Sequence, residues 1–415
     1  MKRTVLFFLF FIGAITFTSK MYADEPLAKN RSKFLGNIIQ AYSTGGIPAN
    51  FKTYWNQVTA ENGGKWGSVQ NNINNTTYNW GQADIAYNYA KTNGFPYKYH
   101  ALVWGSQEPS GLTGVSAEVQ KAKLEAYMEA VAARYPDLDL IDVVNEPLHA
   151  PSNMREAIGG AGETGYDWIV WAFTKARALF PNSKLLINEY GVIGNPSYTR
   201  QYLNIVDTLK VRNLIDGIGI QCHNFNIDGA SVTTMNTVLD LLGTSGLPVY
   251  ISELDFKSNE TDAGQENLYR TKFPVLWEHP AVAGITLWGY MQGNIWATGA
   301  GLVSNGTVNA TERPAMVWLK EYMASAASDV PNQFAGIWGP SSKPATVSVF
   351  PNPATDFVKI DADNVSQVDV YDISGNFMMS KKDESTIDIT HLEAGIYLFK
   401  IKIGNQTVNA KVIKR

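Results

Sequence analysis

Residues 124–146 read LEAYMEAVAARYPDLDLIDVVNE, and this single stretch holds a complete helix-to-strand unit. Leu124, Tyr127, Met128 and Val131 recur at the three-and-four spacing of one helix face. Pro136 predicts that the helix stops there, because proline has no N–H to continue it. The run that follows, 139–146, is short and apolar and ends on Asn145 and Glu146, the pattern of a buried strand with a polar tip. The same unit recurs along the chain. Candidate strands lie at 34–39, 55–61, 97–104, 139–146, 184–190, 215–221, 248–254 and 281–288, with helical patterns between them. Parallel neighbours need a crossover, and eight such units predict an α/β fold, a closed (β/α)8 TIM barrel. An open, doubly wound sheet is the alternative.

Composition bounds the rest. Of 415 residues, 45% are hydrophobic and 17% charged, as in an ordinary folded protein. With 34 Lys and Arg against 38 Asp and Glu there is no cationic surplus to neutralise phosphates, which excludes nucleic acid as a partner. The single cysteine, Cys222, excludes an internal disulfide and a cysteine-based zinc site. Lys2 and Arg3 precede an apolar run from Val5 to Phe17, and Ala23 offers a small residue for cleavage, so residues 1–23 read as a secretory signal peptide, although Met21 is larger than usual near a cut. No later apolar run reaches the ~20 residues of a membrane span, and no transmembrane segment is expected in the mature protein.

A boundary falls near residue 340. All eleven Trp lie before it, the stretch GIWGPSSKP (336–344) has a linker's composition, and short alternating strands follow. We expect a barrel over 24–335 and a small all-β sandwich over 345–415. In that tail Tyr397, Phe399, Ile401 and Ile403 share one strand face, Gly404-Asn405 predicts a hairpin turn, and Val408, Ala410 and Val412 alternate on the return.

The predicted barrel strands end in polar residues: Asn37, Glu61-Asn62, His100 to Trp104, Asn145-Glu146, Asn188-Glu189-Tyr190, Gln221 and His223, Glu253 and Asp255, and Trp288. In a barrel these ends ring one mouth, where catalytic groups gather. Glu146 (IDVVNEP) and Glu253 (VYISELD) form the sharpest pair. Glycosidic cleavage needs two such carboxyls, one to protonate the leaving oxygen and one ionised to face the oxocarbenium carbon. Asn145 offers a hydrogen bond to a sugar hydroxyl, while His223 and Asp255 are potential partners for Glu253. A carboxylate held by donors stays ionised, which favours Glu253 as nucleophile and Glu146 as acid/base, although spacing alone does not assign them. Trp104, Tyr190, Trp288 and Trp296 fall at or after strand ends, where flat rings suit the C–H faces of pyranoses.

Competing motifs lack their context. Gly160 to Gly165 matches G-x-G-x-x-G, but Asn153 to Ile158 do not form a convincing strand before it. Cys222 and His223, adjacent on a predicted strand end, would point to opposite faces, against a Cys–His nucleophile.

The segments VTAENGGKW (58–66), HALVWGSQEP (100–109), DVVNEP (142–147), LLINEY (185–190), IDGIGIQCH (215–223), ISELD (251–255) and TLWG (286–289) resemble, in order, the strand-end motifs of glycoside hydrolase family 10, the retaining endo-β-1,4-xylanases. The resemblance covers nearly all of 30–325. It implies Glu146 as acid/base and Glu253 as nucleophile, His223 and Asp255 as their hydrogen-bonded support, and Asn145 on the hydroxyl at carbon 2 of the sugar. It further implies glycone subsites lined by Glu61, Asn62, Lys65, His100, Trp104, Gln107, Gln221, Trp288 and Trp296. No cofactor or metal is implied, since the chemistry uses carboxylates and water. Xylan is the implied substrate; another β-linked polysaccharide, or glycan capture without turnover, are the alternatives. Three places depart from the family pattern: Gly105 where a second His is usual, Gln292 where an Asp is usual, and KFLGN (33–37) at the first strand. Gly105 predicts an enlarged space beside Trp104. The tail segments VFPNPATDFVKI (349–360), VYDISG (370–375) and LEAGIYLFKI (392–401) resemble the sorting domain of type IX secretion cargo, implying the type IX machinery as partner and export to the cell surface or medium; a carbohydrate-binding module is the alternative, disfavoured by a tail without Trp.

Overall fold

The computed structural model describes residues 25–40, 46–334, 347–362, 365–372, 376–403 and 406–415. The expected leader, the linker at 336–344 and the turn at Gly404-Asn405 lie outside the described residues.

Strands β1 (Phe34–Ile39), β2 (Val58–Ala60), β3 (Tyr97–Val103), β4 (Leu140–Asn145), β5 (Lys184–Glu189), β6 (Gly217–Ile220), β7 (Val249–Leu254) and β8 (Val282–Leu287) close into a barrel in chain order. Every neighbouring pair is parallel, including the closing pair, in which Phe34 stands opposite Gly284. Closure excludes the doubly wound alternative. The short helices α1 (Phe51–Tyr54) and α2 (Trp66–Val69) flank β2, and α3 (Gly81–Asn93) leads into β3. Around the remaining strands run α4 (Ala117–Arg134), α5 (Asp167–Leu179), α6 (Pro196–Lys210), α7 (Asn224–Ile227), α8 (Val232–Gly243), α9 (Asp262–Glu278) and α10 (Pro314–Ala324).

Local chemistry sets the boundaries. Helix α4 starts where Ser116 accepts the Val119 N–H, and the stripe Leu124, Tyr127, Met128 and Val131 is fully buried. Strand β2 begins at Val58 rather than residue 55 because Trp55 closes α1, its N–H donating to the Phe51 carbonyl. Strand β6 is shorter than expected because the Asp216 carboxylate takes the Leu185 N–H and pairs with Arg177. At the N-terminal end of the barrel, Lys33 donates to the Trp277 and His279 carbonyls at the end of α9, where a cation meets the negative end of the helix dipole. Burial lowers the Lys33 pKa to about 8, partly offset by Glu278. Phe34, Leu140, Leu186, Tyr250 and Ala283 fill this end of the barrel, with Phe334 packed against them.

The tail forms two antiparallel sheets. Strands β9 (Ser348–Phe350), β10 (Phe357–Asp361) and β13 (Thr386–Asp388) make one, and β11 (Val365–Asp372), β12 (Phe377–Lys382), β14 (Gly395–Ile403) and β15 (Gln406–Lys414) the other. Their inner faces share an apolar cluster including Val358, Ile360, Val368, Phe399, Ile401 and Val412. As the alternation predicts, Tyr397, Phe399 and Ile401 are buried, opposite Val412, Ala410 and Val408 respectively. Among the described residues no helix is long and apolar enough to cross a membrane.

Candidate active site

Glu146 follows β4 in the left-handed region, at φ +52°, where a side chain with a Cβ is strained. Three backbone hydrogen bonds hold it there: its N–H donates to the Asn188 carbonyl at 2.8 Å, and its carbonyl accepts from the Ala150 N–H at 2.8 Å and the His149 N–H at 3.2 Å. Its Oε1 accepts from Gln221 Nε2 at 2.9 Å and more weakly from Asn145 Nδ2 at 3.4 Å. Glu253, on β7, is almost fully buried; its Oε1 accepts from Asn188 Nδ2 at 2.7 Å and its Oε2 faces His223 Nε2 at 3.2 Å. Asn188 also donates to Asn145 Oδ1 at 2.9 Å, so one amide links the surroundings of both glutamates. His223 Nδ1 lies 2.7 Å from Asp255 Oδ2, which also accepts from Trp296 Nε1 at 3.0 Å.

The electrostatics are opposed on the two sides of that contact. Burial works to raise the Glu253 pKa, but His100, the hydrogen bond and charge of His223, and Lys98 outweigh it and hold the carboxyl at about 2. Burial works to lower the His223 pKa, and its bonds to Asp255 and Glu253 raise it instead to about 9, so both ring nitrogens donate.

The other predicted residues converge on this centre. Lys65 Nζ donates to Asn62 Oδ1 at 2.7 Å and lies 4.7 Å from the centre of the Trp104 ring. Burial lowers its pKa against the pull of Glu253, Glu61 and Glu146. Burial raises Glu61, with Lys65 opposing. His100 meets Trp288 edge-on at 5.2 Å, and His223 meets Trp296 at 4.7 Å. Gln107, in the short turn Gly105–Gln107, lines an open pocket together with Asn62. Burial raises the pKa of the Tyr190 hydroxyl, and the charges of Glu146 and Glu189 add to the rise.

Gly105 does not open space beside Trp104. A Cβ there would stand 2.3 Å from the Pro151 carbonyl oxygen, and the Gly105 N–H donates to the Ala150 carbonyl at 3.0 Å. The loop after β4 fills the room. Gly160 to Gly165 follow a turn of 3-10 helix, Arg155–Ile158, and the Asp167 carboxylate takes the Glu163 and Thr164 N–H groups that a phosphate would need. Cys222 and His223 lie just beyond β6, so strand alternation does not separate them; Cys222 is buried, and burial pushes its thiol up.

Several site residues escape the sequence reading. Lys98 and Asp142 sit inside strands expected to be apolar; they pair at 3.2 Å, and Asp142 also holds His100 Nδ1 at 2.8 Å. His149 stacks on Tyr190 at 3.7 Å, bonded to Glu189 at 2.8 Å and to the Tyr198 hydroxyl at 2.6 Å. Phe225, 57% exposed, bridges Tyr190 and Trp296 at 5.8 and 6.2 Å. Asn188 and Glu189 carried a signal, as polar residues at a strand end.

Comparison with known proteins agrees with this architecture. Residues 25–327 match the profile of Glycosyl hydrolase family 10, and residues 348–415 that of the Secretion system C-terminal sorting domain. The chain is 38% identical over 291 residues to endo-1,4-beta-xylanase B of Cellvibrio japonicus, an alignment covering 69% of this chain and 45% of that protein. It is 31% identical over 270 residues to endo-1,4-beta-xylanase A of Fusarium oxysporum, covering 60% of this chain and 80% of the relative. The chain thus spans less than half the length of the Cellvibrio protein. In fold it is similar to native xylanase 10B of Thermotoga maritima, with a TM-score of 0.62 at 23% identity over 72% of this chain and 96% of that one. The sequence match runs through every strand of the barrel and both glutamates, and the protein belongs to glycosyl hydrolase family 10.

Proposed function

We propose that the protein is an exported, retaining endo-1,4-β-xylanase whose acid/base is Glu146 and whose nucleophile is Glu253. The observation that carries this reading is the shared amide network: Asn188 and Gln221 tie the surroundings of the two carboxyls together, yet only Glu253 is clamped by His223. Held ionised, Glu253 can attack the anomeric carbon as the oxocarbenium character develops. The more exposed Glu146 delivers its proton to the departing oxygen, leaving a covalent glycosyl-enzyme. Water then enters, gives its proton to Glu146 and breaks the ester to Glu253, so the configuration is kept. Asn145 would hold the sugar's carbon-2 hydroxyl. Glu61, Asn62, Lys65, His100, Trp104, Gln107, Gln221, Trp288 and Trp296 would line the glycone side, and Tyr190 would offer a ring face.

The relatives named above are xylanases by name, which supports xylan over other β-linked polysaccharides. For the whole chain we propose a leader at 1–23, a catalytic barrel at 24–335, a linker at 336–344 and a sorting tail at 345–415 that engages type IX secretion machinery. The test is reducing-end release from xylan against cellulose, with proton NMR of the first product anomer. Release from xylan with the β-anomer formed first is expected, and its loss in Glu253→Ala. Release of the α-anomer first would overturn retention; release from cellulose alone would overturn the substrate.

A further inference from the structure

In the turn that follows Glu146, the His149 ring is held from several directions. Its Nδ1 lies 2.8 Å from Glu189 Oε1 and 2.6 Å from the Tyr198 hydroxyl; a carboxylate only accepts, so Nδ1 carries the proton between them. Its face stacks on the Tyr190 ring, with 3.7 Å between centres and 18° between planes. Its Cε1 lies against Gly191, at φ +75°, where a Cβ would stand 3.3 Å away. Tyr198 is itself fixed at the start of α6, its N–H donating to Asn195 Oδ1 at 3.1 Å.

The same carboxylate joins two elements. Glu189 is fully buried at the end of β5; its Oε2 accepts the Leu148 N–H and its Oε1 the Tyr190 N–H, each at 2.8 Å. The His149 N–H in turn donates to the Glu146 carbonyl at 3.2 Å. The turn that carries the proposed acid/base and the strand end that carries Tyr190 are therefore clasped through Glu189 and His149. Much of the proposed glycone wall comes from the ends of β2, β3 and β8, and β5 stands across the closed ring from them. Tyr190 so faces the side on which the departing part of the substrate would lie, with Phe225 against its edge at 5.8 Å. A single edge contact leaves a ring free to tilt, whereas the stacked His149 face sets its plane.

We propose that His149 is a positioning residue of the leaving-group side, which holds the Tyr190 ring, tied to the Glu146 turn, in the plane on which the departing sugar rests. It rests on the function proposed above and adds a residue to it. The test is the ratio of kcat/KM on a xylo-oligosaccharide, whose departing part is a sugar, to kcat/KM on β-xylobiosyl fluoride, whose departing fluoride has nothing to rest on a ring. His149→Ala should lower that ratio about tenfold, the size of one lost stack. It should lower the ratio little further in a Tyr190→Ala background, because the two residues act as a unit. The His149 side chain is 31% exposed; should the Ala variant fail to fold, His149→Gln, which keeps a donor for Glu189 but no ring, is expected to give the same fall. An equal fall on both substrates would show a general loosening of the barrel mouth and overturn the proposal. So would a wild-type ratio in folded His149→Gln, or a His149 effect undiminished once Tyr190 is gone. In each of those cases the xylanase reading stands. Turnover of neither substrate by the wild type overturns the function itself, and the proposal with it.

Discussion

Asn188 illustrates how much one neutral side chain can decide. Its Nδ2 donates to Glu253 and to Asn145, and its Oδ1 accepts from the Ser252 hydroxyl at 2.5 Å. Asn188→Ala therefore frees Glu253, the proposed nucleophile, and the residue proposed to hold the sugar at once. Misplacement of reacting groups by about 1 Å costs about 100-fold in rate, and we expect kcat on xylan to fall by about that factor with KM less affected; a loss in KM alone would deny the residue a positioning role. The charges at the same centre predict a pH dependence of stability. Glu253, held at about 2, contributes stability that is present above its ordinary 4.5 and lost as pH falls through about 2. His223, raised to about 9, contributes stability that is full below its ordinary 6.5 and lost as pH rises through about 9. Thermal unfolding followed against pH should show a decline across 6.5–9 that is reduced in Asp255→Asn, since that change weakens the acceptor. A decline of equal size in the mutant would show that other groups set it.

At the scale of elements, the approach of two loops explains a residue that sequence reading assigns to open space. Gly105 is packed against the 150–151 backbone, so any side chain there must push the loop after β4 aside. Overpacking of this kind costs about 1–3 kcal/mol, and Gly105→Ala should lower the melting temperature by about 5 °C; an unchanged melting temperature would mean that the loop yields freely. The case shows where sequence stops being legible. The barrel itself was readable because each unit repeats the same local pattern, a helix face like that of α4 followed by a run like β4 with a polar tip. Glu146, Glu253, His223 and Asp255 were readable because they stand at such tips. Lys98 and Asp142 were not, because a charge inside a strand gains its partner from the neighbouring strand, here at 3.2 Å, and nothing local announces it. His149 was missed for the same reason: its stacking partner Tyr190 and its bonds to Glu189 and Tyr198 come from the next strand and the helix after it. The start of β6 moved from the expected 215 to Gly217, where the Asp216 carboxylate takes the Leu185 N–H.

Over the whole molecule, the chain divides its tasks between two apolar cores. The barrel buries Trp55, Trp277 and a large aromatic set, while the tail buries Val358, Ile360, Phe399 and Ile401 among its own strands. Residues proposed for chemistry lie between Glu61 and Trp296, and the sorting-domain match begins at residue 348, so catalysis and export draw on different stretches of sequence. A core that is complete within its own segment can fold without the other. Removing 348–415 should therefore leave kcat/KM on xylan within about twofold of the full chain and leave the barrel's melting temperature unchanged, while the enzyme stays inside cells that would otherwise export it. Activity measured on purified protein, together with the xylanase content of culture medium and cell surface, separates the two effects. A truncated protein that still reaches the medium would remove the tail from export, and one that loses turnover would show that the barrel depends on the tail for its working structure.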